Sequence, residues 1–151
     1  MPVFSRRSAL GLSAAALMQP ALPLRAAEQT VATDGTGTAI DGYDTTAYWQ
    51  IAASLAGEAR HFVDWQSARW LFATQAAANL FAATPDAYAP QFGGHCTRAM
   101  SFGTVVNGDP EVWRIYGDKL YLFALPVGAE KFDEGQDDMI AKAQAFWDSL
   151  T

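Results

Sequence analysis

Val112-Trp113-Arg114-Ile115-Tyr116, Gly117-Asp118 and Lys119-Leu120-Tyr121-Leu122-Phe123 read as strand, turn and strand. Both runs are rich in aromatic and branched side chains, which suit a pleated and half-buried surface. The Gly-Asp pair between them suits a two-residue turn with positive φ. This is the clearest hairpin in the chain, and the rest of the fold is read around it.

Downstream, Met139, Ala143, Phe146 and Leu150 recur at helical spacing and predict an amphipathic helix over 136–150. Asp137 and Asp138 fall where a helix dipole favours negative charge. Upstream, 60–65 and 68–73 predict a second hairpin turning at Gln66-Ser67, with Trp65, Trp70 and Phe72 as core candidates. Thr74 is placed to cap a helix through Ala83 that carries Ala77, Leu80 and Phe81 inward, closed by Pro85. Asp44 similarly opens a helical pattern of Ala47, Tyr48, Ile51, Ala52 and Leu55, stopped by Gly57. The stretch 91–109 carries Gly93, Gly94, Gly103 and Gly108 and predicts a long loop of the kind often tied to function. No internal repeat is visible. These elements predict an α+β domain, with a small antiparallel sheet of two β-hairpins packed with three to four helices.

Paired arginines at Arg6 and Arg7 precede an apolar run over 9–18 and the breakers Pro20 and Pro23. This predicts a twin-arginine-type export signal over 1–27 and a periplasmic protein, since about ten apolar residues fall short of the roughly 20 needed to span a bilayer. No membrane span is expected after its removal. The Thr- and Gly-rich stretch 28–39 predicts a flexible lead-in, and the folded domain is expected over 40–151. The full chain carries 10 basic and 16 acidic residues, a formal charge of −6. Loss of Arg6, Arg7 and Arg25 makes this −9, a surface that repels phosphate backbones and excludes nucleic acid as a partner.

A single cysteine, Cys96, rules out an intramolecular disulfide and a CxxC-type zinc site. It stands in Gly93-Gly94-His95-Cys96-Thr97-Arg98-Ala99-Met100, the segment with most chemical content. A thiolate is a soft metal ligand and a nucleophile, and a free cysteine also packs as a small hydrophobe. Met100 falls four residues on, which puts both sulfurs on one face if the segment is helical. His95 can join one ion with Cys96 only if the glycine pair bends the backbone. His61 lies on a predicted strand and completes a site only if the fold brings it near. Cysteine, histidine and methionine together suit Cu(I). No motif accompanies Cys96 and His95 to support nucleophilic catalysis, so no enzyme is expected.

In order, Ile40-Asp41-Gly42-Tyr43-Asp44, Trp70-Leu71-Phe72-Ala73, Tyr88-Ala89-Pro90-Gln91-Phe92-Gly93-Gly94-His95-Cys96, Gly108-Asp109-Pro110 and Lys119-Leu120-Tyr121-Leu122-Phe123 resemble the YHS domain family. The likeness is greatest to its exported bacterial branch, whose members read GYDPVAYF, WRFAS, YAPQYGGYCA, GDP and GKLYLN. Related compact domains bind heavy metal through an FCSxxC pattern, and here Ala73 and Ala77 replace both cysteines. The resemblance therefore implies a YHS-like domain whose remaining candidate ligand is Cys96. The leading expectation is an exported carrier or accessory protein that binds copper through Cys96 with His95, Met100 or His61. The alternative is a structural or interaction module that takes a protein partner or small ligand through the glycine-rich loop.

Overall fold

The computed structural model describes residues 29–150, so the export signal expected over 1–27 lies outside the described residues. In chain order the elements are α1 (Ala47–Gln50), β1 (Glu58–Trp65), β2 (Ala68–Phe72), α2 (Gln75–Ala83), α3 (Pro85–Tyr88), α4 (Thr97–Ser101), β3 (Asp109–Tyr116), β4 (Lys119–Phe123), α5 (Pro126–Glu134) and α6 (Gln136–Ser149). Two 3-10 turns, Ile40–Gly42 and Gln91–Gly94, precede α1 and α4. The fold is α+β. Its hairpins form two separate antiparallel sheets, β1-β2 and β3-β4, rather than one. Among the described residues there are six helices where three to four were expected. The unforeseen ones are α4, a single turn inside the expected loop, and α5, which starts on Pro126 and carries charge on four of nine residues.

Contrary to the sequence reading, the chain contains a structural repeat. Glu58 and Asp109 open the first strands, Ala68 and Lys119 the second strands, and Gln75 and Pro126 the helices that follow, each pair 51 residues apart. Both hairpins carry the same irregularity: Glu58 faces Phe72 and then Phe62 faces Leu71, while Asp109 faces Phe123 and then Trp113 faces Leu122. Both turn through two residues of positive φ, Gln66 (49°) and Ser67 (59°), and Gly117 (55°) and Asp118 (56°). Such turns match the right-handed twist of paired strands. The preceding 3-10 turns repeat too. Ile40, Asp41 and Gly42 all have positive φ, as do Phe92, Gly93 and Gly94. Asp44 N–H then donates to Leu55 O and Cys96 N–H to Val106 O.

Matching aromatic clusters lock each hairpin to its helix. Phe81 lies 5.0 Å from the Trp70 and Phe72 rings and 5.7 Å from Trp65. Phe132 lies 5.2 Å from Tyr121 and Phe123 and 6.0 Å from Tyr116. The contacts from Trp65 and Tyr116 are both edge-on, a favoured aromatic geometry. Strand β4 joins the copies. Its alternate side chains send Leu120 and Leu122 into the core cluster of the first copy and Tyr121 and Phe123 into that of the second. A strand buried on both faces explains its unbroken apolar run.

Two expectations need correction. The segment expected as a flexible lead-in is part of the core: Val31, Ala32 and Ala39 are buried. Ala32 N–H donates to Gly93 O, and Ala39 N–H to Arg69 O, so this segment ties the two copies together. Its Thr and Gly content serves a local turn in which Asp34 Oδ1 accepts from Thr36 N–H, the Thr36 hydroxyl and Thr38 N–H. The helix expected over 44–55 covers only Ala47–Gln50, leaving Ile51 and Leu55 exposed. It stops because Ala52 takes positive φ and Asp44 N–H claims the Leu55 carbonyl, so the chain must turn back. The capping of α2 holds, with Ala77 N–H donating to the Thr74 hydroxyl at 3.1 Å. Among the described residues, no helix is long and apolar enough to cross a membrane.

Candidate functional site

Cys96 follows the Gln91–Gly94 turn, whose geometry is set by close approach. A Cβ on Gly93 would collide with the Thr30 carbonyl, and one on Gly94 with the Ile40 side chain. The turn delivers Cys96 to the start of α4, where its sulfur accepts from Ala99 N–H at 3.4 Å. The thiol occupies the place that the Asp44 carboxylate fills in the first copy. There one oxygen accepts from Thr46 N–H and the Thr46 hydroxyl, and the other from Ala73 N–H. Cys96 is 5 % exposed and packs in the cluster of Phe92, Met100, Tyr121 and Phe123. Its position is that of a helix cap and core residue.

Of the residues singled out in the sequence, Cys96 and Met100 share one cluster, and Met100 is fully buried within it. His95 is turned elsewhere. Its Nε2–H donates to the Thr30 carbonyl at 3.1 Å, while Nδ1 is buried without a hydrogen-bond partner among the described residues. Burial pushes the His95 pKa below the ordinary histidine value, opposed by the Thr30 carbonyl. His61 belongs to the first copy, with Nδ1 3.4 Å from Gln75 Oε1 on α2. Among the described residues, no three His, Cys, Asp or Glu side chains converge.

The glycine-rich segment instead borders a cleft of about 440 Å³. One wall is the tip of the first hairpin, with Trp65, Gln66 and Ser67; another is Asp86 of α3 and the run Ala89 to Gly93; Trp147 of α6 closes the third side. Gln29 stands at its rim and donates from Nε2 to the Trp147 carbonyl at 2.9 Å. Among the described residues that line it there is no lysine or arginine. The cleft thus combines ring faces, amides, one hydroxyl and one carboxylate. Such mixed lining fits a small neutral or cationic molecule rather than an anion.

Sequence reading reached one edge of this cleft, the Gln91-Phe92-Gly93 segment, and missed Gln66, Asp86 and Trp147. The available signal was an indole at position 147, next to Phe146 but outside the stripe of Met139, Ala143, Phe146 and Leu150. No protein-family model, curated protein or solved structure matches this chain.

Proposed function

We propose that this is an exported, non-catalytic YHS-like binding module whose small ligand enters the cleft beside the glycine-rich segment. The observation that carries this reading is the division of labour around that segment. Cys96, His95 and Met100 are spent on a cap, a backbone hydrogen bond and the core. Gln91, Phe92 and Gly93 of the same turn line an open cleft. Titration with a mixture of small neutral and cationic fragments, followed through the indole N–H signals of a ¹H–¹⁵N spectrum, tests it. The Trp65 and Trp147 signals shift while that of Trp113, outside the cleft, stays put. Equal shifts of all three, or none, would overturn the proposal.

A second reading, a periplasmic carrier of copper, is favoured by one feature: the sulfurs of Cys96 and Met100 lie in the same cluster. Ligation there requires the Cys96 thiol to lose its proton inside an apolar cluster in which Met100 is fully buried. Copper content of the purified protein that falls on Cys96→Ser supports this second reading, and equal content in both forms excludes it.

A further inference from the structure

The repeat supplies a comparison internal to the molecule. Tyr116 and Trp65 are the last residues of the first strand in each hairpin, and Asp137 and Asp86 are the second residues of α6 and α3. In the second copy the Tyr116 hydroxyl donates to Asp137 Oδ1 at 3.0 Å and joins the hairpin tip to the helix. In the first copy the matching residue is an indole with no hydroxyl. No equivalent hydrogen bond joins Trp65 to Asp86, and both residues line the open cleft.

We propose that the cleft takes a polyhydroxylated neutral ligand of the saccharide class, one hydroxyl of which donates to Asp86 as the Tyr116 hydroxyl donates to Asp137. This rests on the cleft being the ligand site. Around Asp86, Gln66, Gln91 and Ser67 offer groups that both donate and accept, which pair well with neighbouring hydroxyls. Trp65 and Trp147 line the cleft with aromatic surface on which the apolar side of a sugar ring can pack. An organic cation would use the rings and the carboxylate but draw nothing from the paired donors and acceptors of Gln66, Gln91 and Ser67. An anion would meet a carboxylate and no cationic partner.

The test is titration of the protein with glucose and cellobiose, with tetramethylammonium as the competing class, read at the Trp65 and Trp147 indole signals. Asp86 is exposed, and Tyr116 makes in the second copy the edge contact that Trp65 makes in the first, so Asp86→Ala and Trp65→Tyr retain the fold, which a thermal unfolding curve checks. Either saccharide shifts both signals, and its affinity falls at least tenfold in Asp86→Ala. Trp65→Tyr lowers affinity similarly, because the new phenol hydroxyl occupies Asp86 from within. Shifts with tetramethylammonium or neutral fragments but with neither saccharide overturn this inference and leave the cleft reading standing. No shift with any probe overturns both. Saccharide binding unchanged in Asp86→Ala removes the hydroxyl–carboxylate pairing and with it the inference.

Discussion

Replacing Cys96 by alanine separates a structural thiol from a metal ligand. In the structure the Cys96 sulfur accepts one backbone N–H at the start of α4 and is 5 % exposed in an apolar cluster. Loss of a helix cap costs about 1 kcal/mol, and sulfur is a weak acceptor, so about 0.5 kcal/mol is assigned here. Removal of a buried group the size of a methyl adds about 1 kcal/mol once the residual cavity is included. Cys96→Ala is therefore expected to lose about 1.5 kcal/mol. Cys96→Ser keeps a capping oxygen but places a hydroxyl proton among Phe92, Met100 and Phe123, where an unmet polar group costs about 1–3 kcal/mol. Serine should thus do no better than alanine. Urea unfolding followed by tryptophan fluorescence measures this, with an unchanged dependence on denaturant showing that the unfolded state is not altered. A metal ligand held in a site open for its ion would behave oppositely, since its removal from the metal-free protein relieves the frame. A loss under about 0.5 kcal/mol for Cys96→Ala, or any gain, would refute the structural assignment.

The repeat predicts that Phe81→Ala and Phe132→Ala, both fully buried hubs of equivalent clusters, each cost about 3–5 kcal/mol in the same unfolding assay; one near zero would break the equivalence. At the first hairpin, Gln66 and Ser67 hold positive φ without glycine, so exchanging the pair for Asn-Gly should raise stability by about 1 kcal/mol. His95 has its pKa lowered in the folded protein, so the unfolded chain takes up its proton first as the pH falls. Stability is complete above the unfolded value of about 6.5 and declines as the pH falls through it towards the folded value. Urea midpoints should show this decline, and His95→Gln should flatten it.

The hairpins were legible because turn chemistry and apolar patterning are local: Gly117-Asp118 and the run of 119–123 state their conformation within a dozen residues. The capping threonine of α2 and the amphipathic α6 were legible for the same reason. The repeat was not, because equivalent positions keep shape while changing chemistry. Asp44 and Cys96 hold one backbone position as a carboxylate and a thiol, Thr74 and Leu125 precede α2 and α5, and Trp65 answers to Tyr116. The loop after Asp44 is also one residue longer than that after Cys96, which breaks the register of any simple period. Composition misled over 29–39, where Asp34 turns a Gly- and Thr-rich run into ordered structure and Val31 and Ala32 anchor it. The cleft draws on positions 66, 86, 91 and 147, and only the packing of both copies brings them together.

A crystal of the protein soaked with both a neutral fragment mixture and a copper(I) salt decides whether the cleft or the Cys96 thiol takes the ligand. Density for a fragment beside Trp65, Asp86 and Trp147, with no anomalous copper signal near Cys96, is the result predicted. A copper peak bonded to the Cys96 sulfur, with the cleft unfilled, would contradict it.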